Sequence, residues 1–213
     1  MSHIIPAILP KNQTELTTKV KQVLGLVSHV QVDACDGVFV KSKTKFHELP
    51  YLDQVEYELD LMISEPENTI EEFIEMQPAR IVVHLESVKN FQKLFLVLER
   101  VRGIIEVGVS ISSGTDESVL EQYIDDIDFI QVMGIAEIGA QGQPFDESCL
   151  DRIAYFHRKY PTIPISIDGS VNTKTIVSLA EAGASRFVVG SAIFGGNDVE
   201  EHLVELSEII NDE

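Results

Sequence analysis

The chain has 213 residues, enough for one sizeable core and a single domain over 1–213, and a formal net charge of -19. That charge argues against nucleic acid, whose binding is driven by phosphate neutralisation, and against an anionic membrane surface. It leaves open a small phosphorylated ligand, because backbone N–H groups at helix N-termini hold such an anion without bulk positive charge.

No apolar run reaches the roughly 18 residues of a membrane span, and "MSHIIPAILPKNQ" lacks the basic and long apolar regions of a signal peptide. Cys35 and Cys149 stand far apart in unrelated contexts, so neither a disulfide framework nor a cysteine metal pair is expected. A reducing cytoplasm is the expected location.

One alternation runs from end to end. β-Rich runs occur at 3–9, 29–34, 56–63, 80–85, 104–111, 129–135, 163–168 and 186–191. Helical stretches follow at 13–26, near 47–53, and at 67–76, 87–100, 116–123, 146–159, 172–182 and 197–211. Ser64 with Pro66, and Asn172, are helix-start signals, and Gly183 is a stop. Eight βα units of this length predict a single closed (β/α)8 barrel of the α/β class. A doubly wound open sheet is the alternative, but "AILPKNQ" after the first run carries no glycine fingerprint.

In such a barrel the C-terminal strand ends form the active-site face. Those ends carry Pro10, Asp33, Asp60, His84 with Glu86, Ser112–Thr115, Met133, Asp168 with Gly169, and Gly190 with Ser191. Three acids, Asp33, Asp60 and Asp168, are therefore expected at one mouth.

The residues at these positions resemble the ribulose-phosphate 3-epimerase family. "VQVDACDGVFV" is similar to the family's H-V-D-V-M-D-G-x-F-V, and "ELDLMISEPENTIEEF" to V-H-L-M-V-x-x-P followed by a helix. "VVHLES", "DDIDFIQVMGIAEIGAQGQPF", "SIDGSVNTKTI" and "AGASRFVVGSAIFG" resemble the family's runs at strands 4, 6, 7 and 8, so the resemblance covers nearly the whole chain. It implies a barrel enzyme that epimerises a phosphosugar such as D-ribulose 5-phosphate at C3. Asp33 and Asp168 would be its acid/base pair and a divalent metal its cofactor. It also implies self-association into homo-oligomers.

The chain departs from the pattern. Gln31 and Asp60 stand where the two metal histidines would be, Pro10 where a serine ends strand 1, and Cys35 where one of three methionines would be. Met62 and Met133 remain, and the double glycine after strand 7 is Gly169–Ser170. A metal here would be held by Asp33, Asp60, Asp168 and the Gln31 amide oxygen. Such an all-oxygen set suits Mg²⁺, Mn²⁺ or Ca²⁺ better than Zn²⁺. Without a cation, three crowded carboxylates repel one another and at least one pKa rises.

A phosphate cup is expected from Gly139–Gly142, Gly169–Ser170 and Gly190–Ser191, with the Ser170 hydroxyl as an added donor; tight turns are the plainer reading. Lys41, Lys43 and Lys45 belong to a solvated loop or a steering face. His84 is a hydrogen-bonded structural residue or a site residue oriented by Glu86. Cys35, beside acids, is expected to be an unreactive thiol. Two further functions stay open: a metal-free isomerase or lyase on the same scaffold, and a barrel that binds a phosphosugar without turning it over.

Overall fold

The computed structural model describes residues 3–140, 142–196 and 198–211. Eight strands form a closed barrel in chain order: β1 (His3–Ile8), β2 (His29–Cys35), β3 (Glu56–Met62), β4 (Arg80–His84), β5 (Glu106–Ile111), β6 (Phe129–Met133), β7 (Ile165–Asp168) and β8 (Arg186–Val189). Every neighbouring pair is parallel, and β8 closes on β1 through His3↔Arg186 and Pro6↔Val189. The α-helices are α1 (Gln13–Val23), α2 (Ile70–Ile74), α3 (Phe91–Leu98), α4 (Glu117–Glu121), α5 (Ser148–Lys159), α6 (Ile176–Ala182), α7 (Ser191–Phe194) and α8 (Val199–Asn211). No described helix is long and apolar enough to cross a membrane.

Period two explains the layers. Val30 and Val32, Leu59 and Leu61, Ile81 and Val83, Ile130 and Val132, and Ile165 and Ile167 join the core between strands and helices. The alternate residues face the barrel axis, and many are polar yet buried: Gln31, Asp33, Glu58, Asp60, His84, Ser110, Gln131, Ser166 and Arg186. Barrel interiors usually carry bulky branched residues in these layers. Here Ile5, Ala7 and Val188 form only a small apolar group of their own.

The turns follow local chemistry. Asn12 caps α1 by accepting from Glu15 N at 3.0 Å, and Asn90 caps α3 by accepting from Lys93 N at 2.9 Å. α6 ends at Gly183, whose φ is 113°, and a Cβ there would lie 2.4 Å from the His157 ring. Glycine alone meets both demands.

Several element ends fall a few residues inside the expected ranges, and three differences have a local cause. Residues 47–53 form turns, because Pro50 interrupts the segment and Tyr51 takes a left-handed φ of 58°. The final run expected to reach 191 stops at Val189, and Gly190 instead precedes the short α7. Asn172 starts a turn rather than a helix, accepting from Lys174 N at 2.9 Å, and α6 begins at Ile176. The expected helix start at Asn197 lies outside the described residues.

Low in the barrel, Glu58 on β3 pairs with Arg186 on β8. The guanidinium lies 4.8 Å from the Phe129 ring centroid, and Gly108 makes room for that ring: a Cβ there would lie 2.4 Å from it. Arg186→Leu strands the Glu58 charge in the interior. It should cost about 3–5 kcal/mol, read as a lowered urea midpoint. An unchanged midpoint would show that the pair does not hold the barrel.

Candidate functional site

β2 reads "HVQVDAC" and turns Gln31, Asp33 and Cys35 inward. β3 does the same with Glu58, Asp60 and Met62, and Asp33 and Asp60 are in-register neighbours. β7 ends on Asp168, beside Met133 of β6. One carboxylate oxygen from each of Asp33, Asp60 and Asp168 falls within 4.8 Å of the others. The three acids therefore meet, as the strand-end reading expects.

The amides organise them. Gln31 Nε2 donates to Asp33 Oδ1 at 3.2 Å and to Asp168 Oδ2 at 3.3 Å. Gln131 Nε2 donates to Asp60 Oδ2 at 3.0 Å, and His84 Nε2 lies 2.8 Å from Asp60 Oδ1. Asp33 and Asp168 line the pocket above, whereas Gln31 and Asp60 are fully buried beneath it. His84 is tied to Asp60 and not to Glu86. Glu86 turns away and accepts from Ser112 N at 2.9 Å and from the Thr115 hydroxyl, which fixes the loop after β5.

Asp36 has a different job from Asp33. Its Oδ1 accepts from Val38 N at 2.7 Å and Phe39 N at 2.9 Å, and its Oδ2 from Ser64 N at 2.8 Å. It therefore shapes the loop after β2 and ties it to the loop after β3. That loop crosses the mouth: Lys41 pairs with Glu137 at 2.6 Å, and the Ser42 hydroxyl donates to the Gly139 carbonyl. Val40 packs where a Cβ on Gly139 would be, at 2.7 Å. Lys43 and Lys45 are exposed, as a solvated loop requires.

The pocket opens at the C-terminal face, with about 520 Å³ of empty space that includes open solvent at its mouth. Gly139, Gly142, Gly169, Ser170, Gly190 and Ser191 line one side, and Met62, Met133, Ala7 and Leu9 contribute elsewhere. Gln141, between two of these residues, lies outside the described residues. Two expectations change. Pro10 is not among the lining residues; Ala7 of β1 and Leu9 just after it line the pocket instead, so this strand end offers no hydroxyl there. The Ser170 hydroxyl spends its one proton on the Gln143 carbonyl, so only its backbone N–H is left for an anion. Ser170 also holds a φ of 56°, which a glycine would adopt freely.

Burial and crowding set the electrostatics. Burial first, then the charges of Asp168 and Asp60, push Asp33 well above the ordinary carboxylate range. Burial and the Asp60 charge push Asp168 up to about 7, against the opposing Gln31 hydrogen bond. Burial alone would lower the His84 pKa, but the charge of Asp60 and the hydrogen bond to it outweigh burial and raise it. Burial, then Asp33, pushes the Cys35 thiol up, which makes it a poor nucleophile.

Sequence reasoning missed Gln131 and the partner of His84. The period-two reading of "FIQVM" held the signal for Gln131, since it puts Gln131 and Met133 on one face.

A raised carboxylate pKa means the folded chain binds more protons than the unfolded one between the two pKa values. Its stability is then full below the unfolded value near 3.8 and falls as pH rises through about 7. EDTA-treated protein should therefore melt lower at pH 8 than at pH 5. Asp168→Asn should flatten that slope and raise the pH 8 melting temperature by roughly 3–8 °C, at about 2–4 °C per kcal/mol. A variant that melts lower than wild type at pH 8 would contradict this electrostatic picture.

Residues 3–194 match the family model described as the ribulose-phosphate 3-epimerase family. A relative named ribulose-phosphate 3-epimerase from Schizosaccharomyces pombe is 27% identical over 93% of this chain and 89% of its own. A chloroplastic ribulose-5-phosphate-3-epimerase from Arabidopsis thaliana is 30% identical over 94% of this chain and 74% of its own. Among solved structures, a 3-hexulose-6-phosphate synthase superposes with a TM-score of 0.71 at 16% identity, covering 97% of this chain and 99% of that one, and shows the shared fold. An eightfold barrel with paired carboxylates at its mouth, matched over nearly its whole length, belongs to the ribulose-phosphate 3-epimerase family.

Proposed function

We propose that the protein epimerises a phosphorylated ketose at the carbon next to the ketone, with D-ribulose 5-phosphate as the leading substrate. The observation that carries this reading is the placement of Asp33 and Asp168. They come from strands on different sides of the barrel, share the Gln31 amide, and line the same pocket. One carboxylate takes the C3 proton from one face of the sugar and the other returns a proton to the opposite face. The Asp168 pKa of about 7 suits the task, because a group that both takes and gives a proton near neutral pH works best with a pKa close to it, and Asp33 is shifted in the same direction.

The remaining lining residues bind and orient. Backbone N–H groups of Gly139, Gly142, Gly169, Ser170, Gly190 and Ser191 would receive the phosphate, close to the strand 7 and 8 position common in barrels. Met62 and Met133 pack against the sugar's carbon chain and keep water from it.

The residues fit a divalent cation. Asp33, Asp60 and Asp168 offer oxygens within 4.8 Å of one another, whereas Gln31 presents its Nε2, not the amide oxygen expected as a ligand, to Asp33 and Asp168. This all-oxygen set matches Mg²⁺ or Mn²⁺ better than Zn²⁺. Such an ion would stabilise the oxygen charge that develops as the proton leaves. Asp60 would hold its ligand oxygen in place through His84 and Gln131.

The buried free thiols of Cys35 and Cys149 are consistent with a reducing cytoplasm, and self-association is part of the same reading.

Proton exchange tests the assignment. In D₂O with D-ribulose 5-phosphate, NMR should show deuterium entering C3 as xylulose 5-phosphate appears. Asp33→Asn and Asp168→Asn should each slow epimerisation by about 10²–10⁴-fold, and one of them should still exchange the C3 proton of the starting sugar. Full turnover by Asp33→Asn would overturn the two-base assignment. Binding without any exchange would leave a phosphosugar-binding barrel, and C–C cleavage or conversion to an aldose would make it a lyase or isomerase.

A further inference from the structure

Below the carboxylates the barrel axis is lined by polar groups that reach beyond what the proposed chemistry uses. Ser110, Gln131 and Ser166 are consecutive in-register neighbours on β5, β6 and β7. They face inward, because Val109 and Ile111, Ile130 and Val132, and Ile165 and Ile167 face the helices. Across the barrel, Gln31 and Glu58 are in-register neighbours on β2 and β3, and Glu58 reaches over to Arg186, itself the neighbour of Ser166. Ser110, Ser166, Gln31, Gln131 and Glu58 are all fully buried.

Six atoms of this layer find no hydrogen-bond partner among the described residues: Ser110 Oγ, Ser166 Oγ, Gln131 Oε1, Gln31 Oε1, Glu58 Oε1 and Arg186 Nε. Leaving one buried polar group unpaired costs about 1–3 kcal/mol, and native proteins leave few of them. Six in one contiguous layer call for a ligand that both donates and accepts. The two amide oxygens and the Glu58 oxygen need donors. Arg186 Nε needs an acceptor, and its guanidinium disfavours a second cation beside it. Water meets all of these demands. Serines at 110 and 166 are smaller than the branched side chains that barrels usually carry there.

We infer that the barrel interior is a built water site, with ordered waters bridging Ser110, Gln131 and Ser166 on one side and Gln31, Glu58 and Arg186 on the other. The arrangement has a direct consequence. Waters donating to Gln31 Oε1 and Gln131 Oε1 hold each amide with its Nε2 toward the carboxylates, which is the orientation that the Asp33, Asp168 and Asp60 hydrogen bonds require. The site is independent of what the mouth of the barrel catalyses.

A crystal structure of the EDTA-treated protein, at a resolution that shows ordered solvent, tests this directly. Water density within hydrogen-bonding distance of Ser110 Oγ, Ser166 Oγ and Glu58 Oε1 is the expected result. In solution, oxygen-17 relaxation dispersion should detect long-lived internal waters in the wild type and fewer in Ser110→Val. Should Ser110→Val fail to fold, the wild-type dispersion alone decides. A dry interior in which the serines turn to bond Gln131 directly would overturn the inference. So would an anomalous peak there after soaking in Rb⁺, which would show a cation in place of water.

Discussion

Everything at the mouth of this barrel follows from placing an oxygen of each of three largely buried carboxylates within 4.8 Å of the others. Coulomb repulsion and lost hydration forbid three bare charges there. Protons, hydrogen-bond donors or a cation must compensate. The fold already supplies part of the answer: His84 and Gln131 serve Asp60, while Gln31 bridges Asp33 and Asp168. Burial and neighbouring charge raise the pKa of both Asp33 and Asp168, and of the three acids these are the two that line the pocket. Compensation and reactivity are therefore separated by depth. The acid beneath the floor is fixed by neighbours, and in the proposed reaction the acids at the floor exchange protons.

The same logic bears on the two positions where the chain departs from the histidines of the family pattern. A glutamine at position 31 is neutral, as an unprotonated imidazole is, and presents both a donor and an acceptor. An aspartate at position 60 adds a negative charge, and His84, brought within 2.8 Å of it, is the group placed to answer that charge. On the proposed reading an oxygen-only ligand set would favour a hard cation over a borderline one, while Asp33 and Asp168 stay at the pocket floor.

Much of this was legible in the sequence. The alternation of runs predicts the barrel, and reading only the strand ends brings Asp33, Asp60 and Asp168 to one mouth. The family resemblance supplies the pairing of the first with the third. What sequence alone could not give lies in side-chain direction and in loops. Glu86 sits two residues beyond His84, yet it points to the loop after β5, because a short 3₁₀ turn at Leu85–Ser87 swings it off the strand. Pro10 lies past the end of β1, so the serine position of the pattern maps poorly onto the residues that line the pocket. The Ser170 hydroxyl looked free for an anion until the Gln143 carbonyl appeared beside it, a contact between residues 27 apart. The helix expected near 47–53 fails for a local reason, Pro50 followed by a left-handed Tyr51.

The central claim is that the crowded carboxylates hold protons which a divalent cation displaces. Calorimetric titration of the EDTA-treated protein with Mn²⁺ at pH 7, repeated in two buffers of different ionisation enthalpy, measures that exchange directly. Binding accompanied by release of about one proton, lost in Asp168→Asn, is the predicted result. Binding with no proton release, or no binding at all, would contradict it, and the carboxylates would then have to be held apart by some other arrangement of charge.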